Sequence, residues 1–262
     1  MTTAAPAGRN EPEVIIEVRG LVNQFGKQRI HDKLDLDVLK GEVLGVVGGS
    51  GTGKSVMLRT IVGLNRAREG EIKVFGRDVR RASEREMHAI MKRWGVLFQD
   101  GALFSSLTVA QNIAVPIREH TKLPDDVIAE LCALKVALVG LPPEAGAKYP
   151  SQLSGGMRKR AGLARALALD PEIIFLDEPT AGLDPIGAAD FDQLVRDLQR
   201  SLGLTVFLVT HDLDTLVTVT DRVAVLVDKR CKVGTIPELL ATGHPWILEY
   251  FNGPRGRAAM KN

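Results

Sequence analysis

The feature that most constrains this chain is the run Gly48-Gly49-Ser50-Gly51-Thr52-Gly53-Lys54-Ser55. It fits GxxxxGK[ST] and follows Val43-Leu44-Gly45-Val46-Val47, a continuous apolar run that reads as a strand buried on both faces. A helix is expected after it, from about Gly53 to Val62. Glycines let successive backbone N–H groups curl around phosphate oxygens, and the helix N-terminus adds positive potential. Lys54 is placed to reach outer phosphates, and the Ser55 hydroxyl to ligate Mg²⁺. The competing reading is a glycine-rich turn with a solvated lysine. The strand–loop–helix setting disfavours it.

Further on, Ile173-Ile174-Phe175-Leu176 forms an apolar strand ending in Asp177-Glu178. Asp177 is placed to hold Mg²⁺ through water, and Glu178 to polarise an attacking water as general base. Alone, such a strand end is as readily a surface turn. Downstream of a phosphate loop it becomes a candidate site.

The surrounding pattern is strand–helix alternation. Strands are expected at 173–176, 206–209 and 223–227, with helices at 187–200 and 212–219. Near the N-terminus, Val14–Val18 and the alternating Leu34-Asp35-Leu36-Asp37-Val38 read as strands, the second antiparallel and half-exposed. Ser83 and Glu86 have the form of a capping box opening a helix towards Lys92. Residues 125–141 have helical periodicity with acids in the first turn, and a helix follows Ser154-Gly155-Gly156. This predicts an α/β fold: a parallel-sheet core with a helical lobe inserted.

The 262 residues carry 34 Lys plus Arg against 32 Asp plus Glu, a formal charge of +2. That balance gives no electrostatic reason to expect nucleic acid as a partner. Cys132 and Cys231 lack metal-ligand spacing, and Cys132 reads as a small buried hydrophobe. The N-terminus has no signal-like apolar core, and nowhere do eighteen uncharged apolar residues run together. A role at a membrane would need other subunits. Residues 1–12 are expected to be disordered. At the other end, Thr235 and Pro237 signal a helix start, and Trp246, Ile247, Tyr250 and Phe251 fall on one helical face. That face either caps this chain's own core or packs on a partner subunit. A Gly/Arg/Lys-rich tail follows.

Leu153-Ser154-Gly155-Gly156-Met157, followed by Arg158-Lys159-Arg160-Ala161-Gly162-Leu163-Ala164-Arg165, resembles the signature motif of ABC ATPases. The family's other motifs occur around it in the family's order, and the resemblance covers roughly residues 14–235. It implies a P-loop NTPase of the ABC ATPase type, with a RecA-like parallel-sheet core, an N-terminal antiparallel β-subdomain and a helical subdomain. On that pattern residues 13–235 form the nucleotide-binding domain, with the helical lobe at about 100–165, and 236–262 form a C-terminal association helix and basic tail.

The resemblance also implies roles. Phe25 would stack on adenine; Gly48 to Ser55, with Val56, would hold the phosphates of ATP. Gln99 would be the Q-loop residue, near both the metal and the attacking water. Asp184 would belong to the D-loop, and His211 would be the switch histidine. Ser154, Gly155 and Gly156 would close on ATP held by a second copy, so two chains would pair head-to-tail. Two positions depart from the pattern: Met157 stands where glutamine is common, and Val56 where threonine is common.

The stretch Phe98-Gln99-Asp100-Gly101-Ala102-Leu103-Phe104, with Asn112 to Thr121 and the Met-bearing signature, resembles ATPases of the Mce-type lipid transporters, such as the bacterial Mla system. That implies phospholipid transport between inner and outer membranes, with the chain peripheral on the cytoplasmic face of the inner membrane. It also implies membrane permease subunits, a periplasmic Mce-domain protein and a small STAS-domain subunit as partners. The alternatives are an ATPase of a polar-solute importer and a soluble ABC ATPase that drives cofactor assembly.

Overall fold

The computed structural model describes residues 12–99, 101–253 and 259. The expected disordered N-terminus, apart from Pro12, and the basic tail, apart from Gly253 and Ala259, lie outside the described residues. The chain runs β1 (Val14–Phe25), β2 (Gln28–Leu39), β3 (Val43–Gly48), α1 (Lys54–Ile61), β4 (Glu69–Val74), β5 (Arg77–Asp78), α2 (Glu84–Met91) and β6 (Trp94–Leu97). Next come α3 (Val109–His120), α4 (Asp125–Leu138), α5 (Gly155–Ala166), β7 (Ile173–Asp177), α6 (Pro185–Leu202) and β8 (Thr205–Val209). It closes with α7 (Leu213–Val219), β9 (Arg222–Val227), β10 (Arg230–Gly234), α8 (Ile236–Ala241) and α9 (Pro245–Asn252).

Two sheets result. The first is antiparallel, in the order β2-β1-β4-β5. Leu34, Leu36 and Val38 point into the core between the sheets, while Asp35 and Asp37 face outwards, as period-2 alternation requires. The second sheet runs β10-β9-β3-β8-β7-β6, parallel except for β10 at the edge. Val43–Val47 and Ile173–Asp177 are buried along their whole length, because helices or the first sheet cover both faces.

Between β6 and β7 the chain is helical. Val109, Ile113 and Ile117 of α3 pack with Ile128, Cys132 and Val136 of α4 and with Leu163 of α5. The expected capping box forms at Ser83/Glu86, Thr235 caps α8 as its helix-start signal suggests and makes a box with Glu238, and Thr108/Gln111 adds another on α3. Buried Asn112 secures the loop entering α3: its side chain accepts from Phe104 N and donates to the carbonyls of Phe104, Leu107 and Thr108.

Of the two readings of the C-terminal aromatic face, packing supports core capping for half of it. Ile247 and Phe251 are fully buried with Val47, Leu216, Val223 and Val225 of this chain. Trp246 and Tyr250 are only partly covered.

Candidate functional site

The strand order gathers the chemistry. β3, β8, β7 and β6 lie side by side, with Val46 and Asp177 both opposite Val209, and Leu97 opposite Leu176. The strands therefore end at one edge. The loops that follow carry Gly48–Ser55, His211, Glu178 and Gln99, in that spatial order. Open α/β sheets bind ligands at this carboxyl edge.

In the loop after β3, Gly51 and Gly53 take φ values of 78° and 95°, which glycine adopts without strain. Gly53 has a second constraint. A Cβ there would stand 2.3 Å from Ile30 Cγ2 and 2.6 Å from His31 Nε2. Lys54 Nζ donates to the carbonyls of Gly48 at 2.9 Å and Gly49 at 3.3 Å, so its ammonium is folded over the loop. Thr52 Oγ1 donates to Gly49 O at 2.9 Å. Ser50 and Gly51 are exposed, and Val56 is half-buried in the first turn of α1.

Behind the loop lies a buried polar network that sequence reading missed. Asn23 Nδ2 donates to His31 Nδ1 at 3.0 Å and to Thr60 Oγ1 at 3.1 Å, and Thr60 in turn donates to Val56 O. His31 is fully buried and its Nε2 has no hydrogen-bond partner among the described residues. Burial pushes the imidazole down to about 4, and the Thr52 backbone offsets only part of that. In the sequence Asn23 and His31 stand beside Gln24, Arg29, Asp32 and Lys33, so nothing local marks them as buried.

Ser55 Oγ donates to Asp177 Oδ1 at 2.9 Å, and Asp177 is buried at the end of β7. Two oxygen donors meeting beside a phosphate loop fit Mg²⁺, which takes oxygen ligands and keeps several waters. Glu178 adopts φ 50°, its N–H donating to Val209 O at 2.8 Å. Its Oε2 lies 2.7 Å from His211 Nδ1. The carboxylate is largely covered while the imidazole is exposed. A carboxylate so placed can take a proton from water.

Gln99 is exposed at the end of β6. Its carbonyl accepts from Lys159 Nζ, which also reaches Glu178 O at 3.3 Å. One buried lysine of α5 thus joins the loops after β6 and β7. Arg165 donates to Gly101 O at 2.9 Å and Ala102 O at 2.7 Å, with its guanidinium pushed down by burial. In sequence, Arg158, Lys159, Arg160 and Arg165 are four similar cations; only the packing shows which of them fasten this loop.

A groove of about 480 Å³ beside the loop is lined by Trp94, Val96, Phe98, Phe104, Val115 and Pro116, among others. Leu97 is core and Leu103 is partly buried against it, whereas Phe104 is 52% exposed.

The other expected residues stand apart from this row. Ser154 caps α5, its Oγ accepting from Met157 N at 3.2 Å. The nearest atom to a Cβ on Gly155 or Gly156 would be Leu183 Cδ2, at 3.9 Å. The signature turn therefore lies against the segment holding Asp184, which caps α6 by accepting from Gly187 N. Phe25, at the β1–β2 turn, is 52% exposed, an uncovered aromatic ring.

The family described as "ABC transporter" matches residues 31–181. The "Probable ribonucleotide transport ATP-binding protein mkl" of Mycobacterium leprae is 44% identical over 249 residues, covering 95% of this chain and 72% of that protein. The "Intermembrane phospholipid transport system ATP-binding protein MlaF" of Haemophilus influenzae is 40% identical, covering 91% of this chain and 90% of that one. Among solved structures, a dimeric post-hydrolysis state of an ATP-binding cassette bound to ADP and Pi gives a TM-score of 0.76. It is 27% identical and covers 84% of this chain and 98% of that chain.

Proposed function

Since this chain belongs to the ABC transporter family, we propose that it is the ATP-hydrolysing subunit of a transporter that moves phospholipid between membranes. The observation that supports hydrolysis best is the row at the sheet edge, with Ser55 bonded to Asp177 and Glu178 beside His211.

In this reading the loop amides and Lys54 hold the phosphates of ATP, and Phe25 stacks on adenine. Glu178 accepts the proton of the water that attacks the γ-phosphorus, and His211 holds that carboxylate in place. Ser55 and Asp177, with Gln99, hold Mg²⁺, which neutralises phosphate charge when bound. Val56 contributes its backbone N–H. Ser154, Gly155, Gly156 and Asp184 serve the ATP of a second copy. The dimeric state of the related cassette supports that pairing.

Among the described residues, no helix is long and apolar enough to cross a membrane. The chain then works from the cytoplasmic face of the inner membrane through permease subunits, and the apolar groove around Phe98 and Phe104 suits a short helix from one of them. An Mce-domain protein and a STAS-domain subunit complete the complex.

The name of the mycobacterial relative favours a second reading, transport of ribonucleotides, a polar solute. Purification with native partners, followed by mass spectrometry of the proteins and bound small molecules, separates the two. Copurified phospholipid and an Mce-domain protein are expected. A nucleotide-specific binding protein without lipid would favour the second reading, and soluble scaffold proteins alone would overturn both.

A further inference from the structure

Helix α9 is anchored on one face and meets the site with the other. Ile247 and Phe251 are fully buried against Val47, the residue before the phosphate loop, and against Leu216 of α7, the helix after His211. On the other face Trp246 and Tyr250 stack, ring centroids 4.7 Å apart at 14°. Phe251 meets the Tyr250 ring edge-on at 5.1 Å. Trp246 Nε1 lies 3.8 Å from where a Cβ on Gly49 would stand. The Tyr250 hydroxyl donates to the carbonyl of His211 at 3.1 Å.

The ring is held on two sides, so its hydroxyl is presented in a fixed place. Burial, with Asp212 and Glu178 nearby, pushes the phenol up to about 12, so the hydroxyl keeps its proton and remains a donor. The segment it grips joins β8 to α7. There Thr210 N donates to Val46 O at 3.2 Å, and Asp212 N donates to Thr210 Oγ1 at 3.1 Å. The imidazole of His211 is itself exposed and meets Glu178 at one nitrogen. Its aim therefore depends on how its backbone is held.

We propose that Tyr250 is a positioning residue for hydrolysis: its hydroxyl holds the His211 backbone so that the imidazole meets Glu178. Helix α9 thereby joins Val47, the residue before the phosphate loop, through Ile247 and Phe251, to the switch segment, through Tyr250. This rests on the reading of the sheet-edge row as an ATPase site.

The test is ATP turnover of the full chain purified with its native partners, comparing wild type, Tyr250→Phe and Glu178→Gln. Tyr250→Phe keeps the ring and its stacking and deletes one donor. It is expected to lower kcat about three- to tenfold, the worth of one ordinary hydrogen bond, with KM for ATP unchanged and Tm lowered by no more than about 2–4 °C. The ¹³C carbonyl resonance of His211 should shift in the same variant, reporting the lost hydrogen bond. Unchanged kcat overturns the proposal. So does a Tm lowered by about 10 °C or more with a rise in KM, because the hydroxyl would then be supporting the fold at large. Full turnover in Glu178→Gln is a different failure, that of the ATPase reading itself.

Discussion

Ser55 Oγ and Asp177 Oδ1 meet at 2.9 Å although 122 positions separate them in the chain. The meeting follows from the sheet: β3 and β7 flank β8, so the helix entered from one strand faces the last residue of the other. If these two oxygens hold Mg²⁺, chelation with EDTA stops turnover. Ser55→Ala should raise the free Mg²⁺ needed for half-maximal ATPase by roughly tenfold, the lower end of what a lost site partner costs in metal affinity. A Mg²⁺ titration checks it, and an unchanged midpoint counts against the assignment.

How much could be read beforehand depended on how local the cause was. β3, β7, β8 and β9 were legible because strands covered on both faces are continuous apolar runs. β4, with Glu69, Glu71 and Lys73, and β10, with Arg230 and Lys232, look like polar loop until their partners are known. α3 was obscured by Pro116 in its middle. The phosphate loop and Asp177-Glu178 were legible because the chemistry demands those residue types in sequence. Lys159 to Gln99, 60 positions apart, and Tyr250 to His211, 39 apart, were not, because tertiary packing alone brings each pair together.

The buried His31 predicts a dependence of stability on pH. Its folded value is about 4 against an ordinary 6.5, so between these limits the unfolded chain takes the proton more readily. This contribution is complete above pH 6.5 and drains away as pH falls towards 4, by on the order of 3 kcal/mol in full. Urea unfolding at pH 7.5 and 5.0 should show a smaller loss in His31→Leu than in wild type. Equal losses would assign the acid sensitivity to other groups.

The burial of Phe251 predicts that the C-terminal helix is needed for the fold. Phe251→Ala should cost about 3–5 kcal/mol in urea unfolding, as for other fully buried aromatics. Truncation after Gly243 removes Ile247 as well and should give an aggregating or partly unfolded chain. A truncated chain that stays a folded, ATP-binding monomer while failing to assemble would support association as the main role instead.

Head-to-tail pairing predicts sites that complement one another. Ser154→Arg damages the surface a chain offers its partner, and Lys54→Ala damages the site it keeps for itself. Mixed heterodimers then carry one intact composite site and one doubly damaged site. ATP crosslinking should label a single site per heterodimer. Labelling of both sites, or of neither, speaks against sites shared between two chains.

Whether Glu178 is the base is read most directly from the ATPase rate and dimer fraction of Glu178→Gln with ATP and Mg²⁺. The substitution keeps the shape of the side chain and removes the base beside His211. Turnover should fall by about 100-fold or more, with a stable ATP-bound dimer by analytical ultracentrifugation. Turnover at the wild-type rate, with no dimer accumulating, would contradict that role.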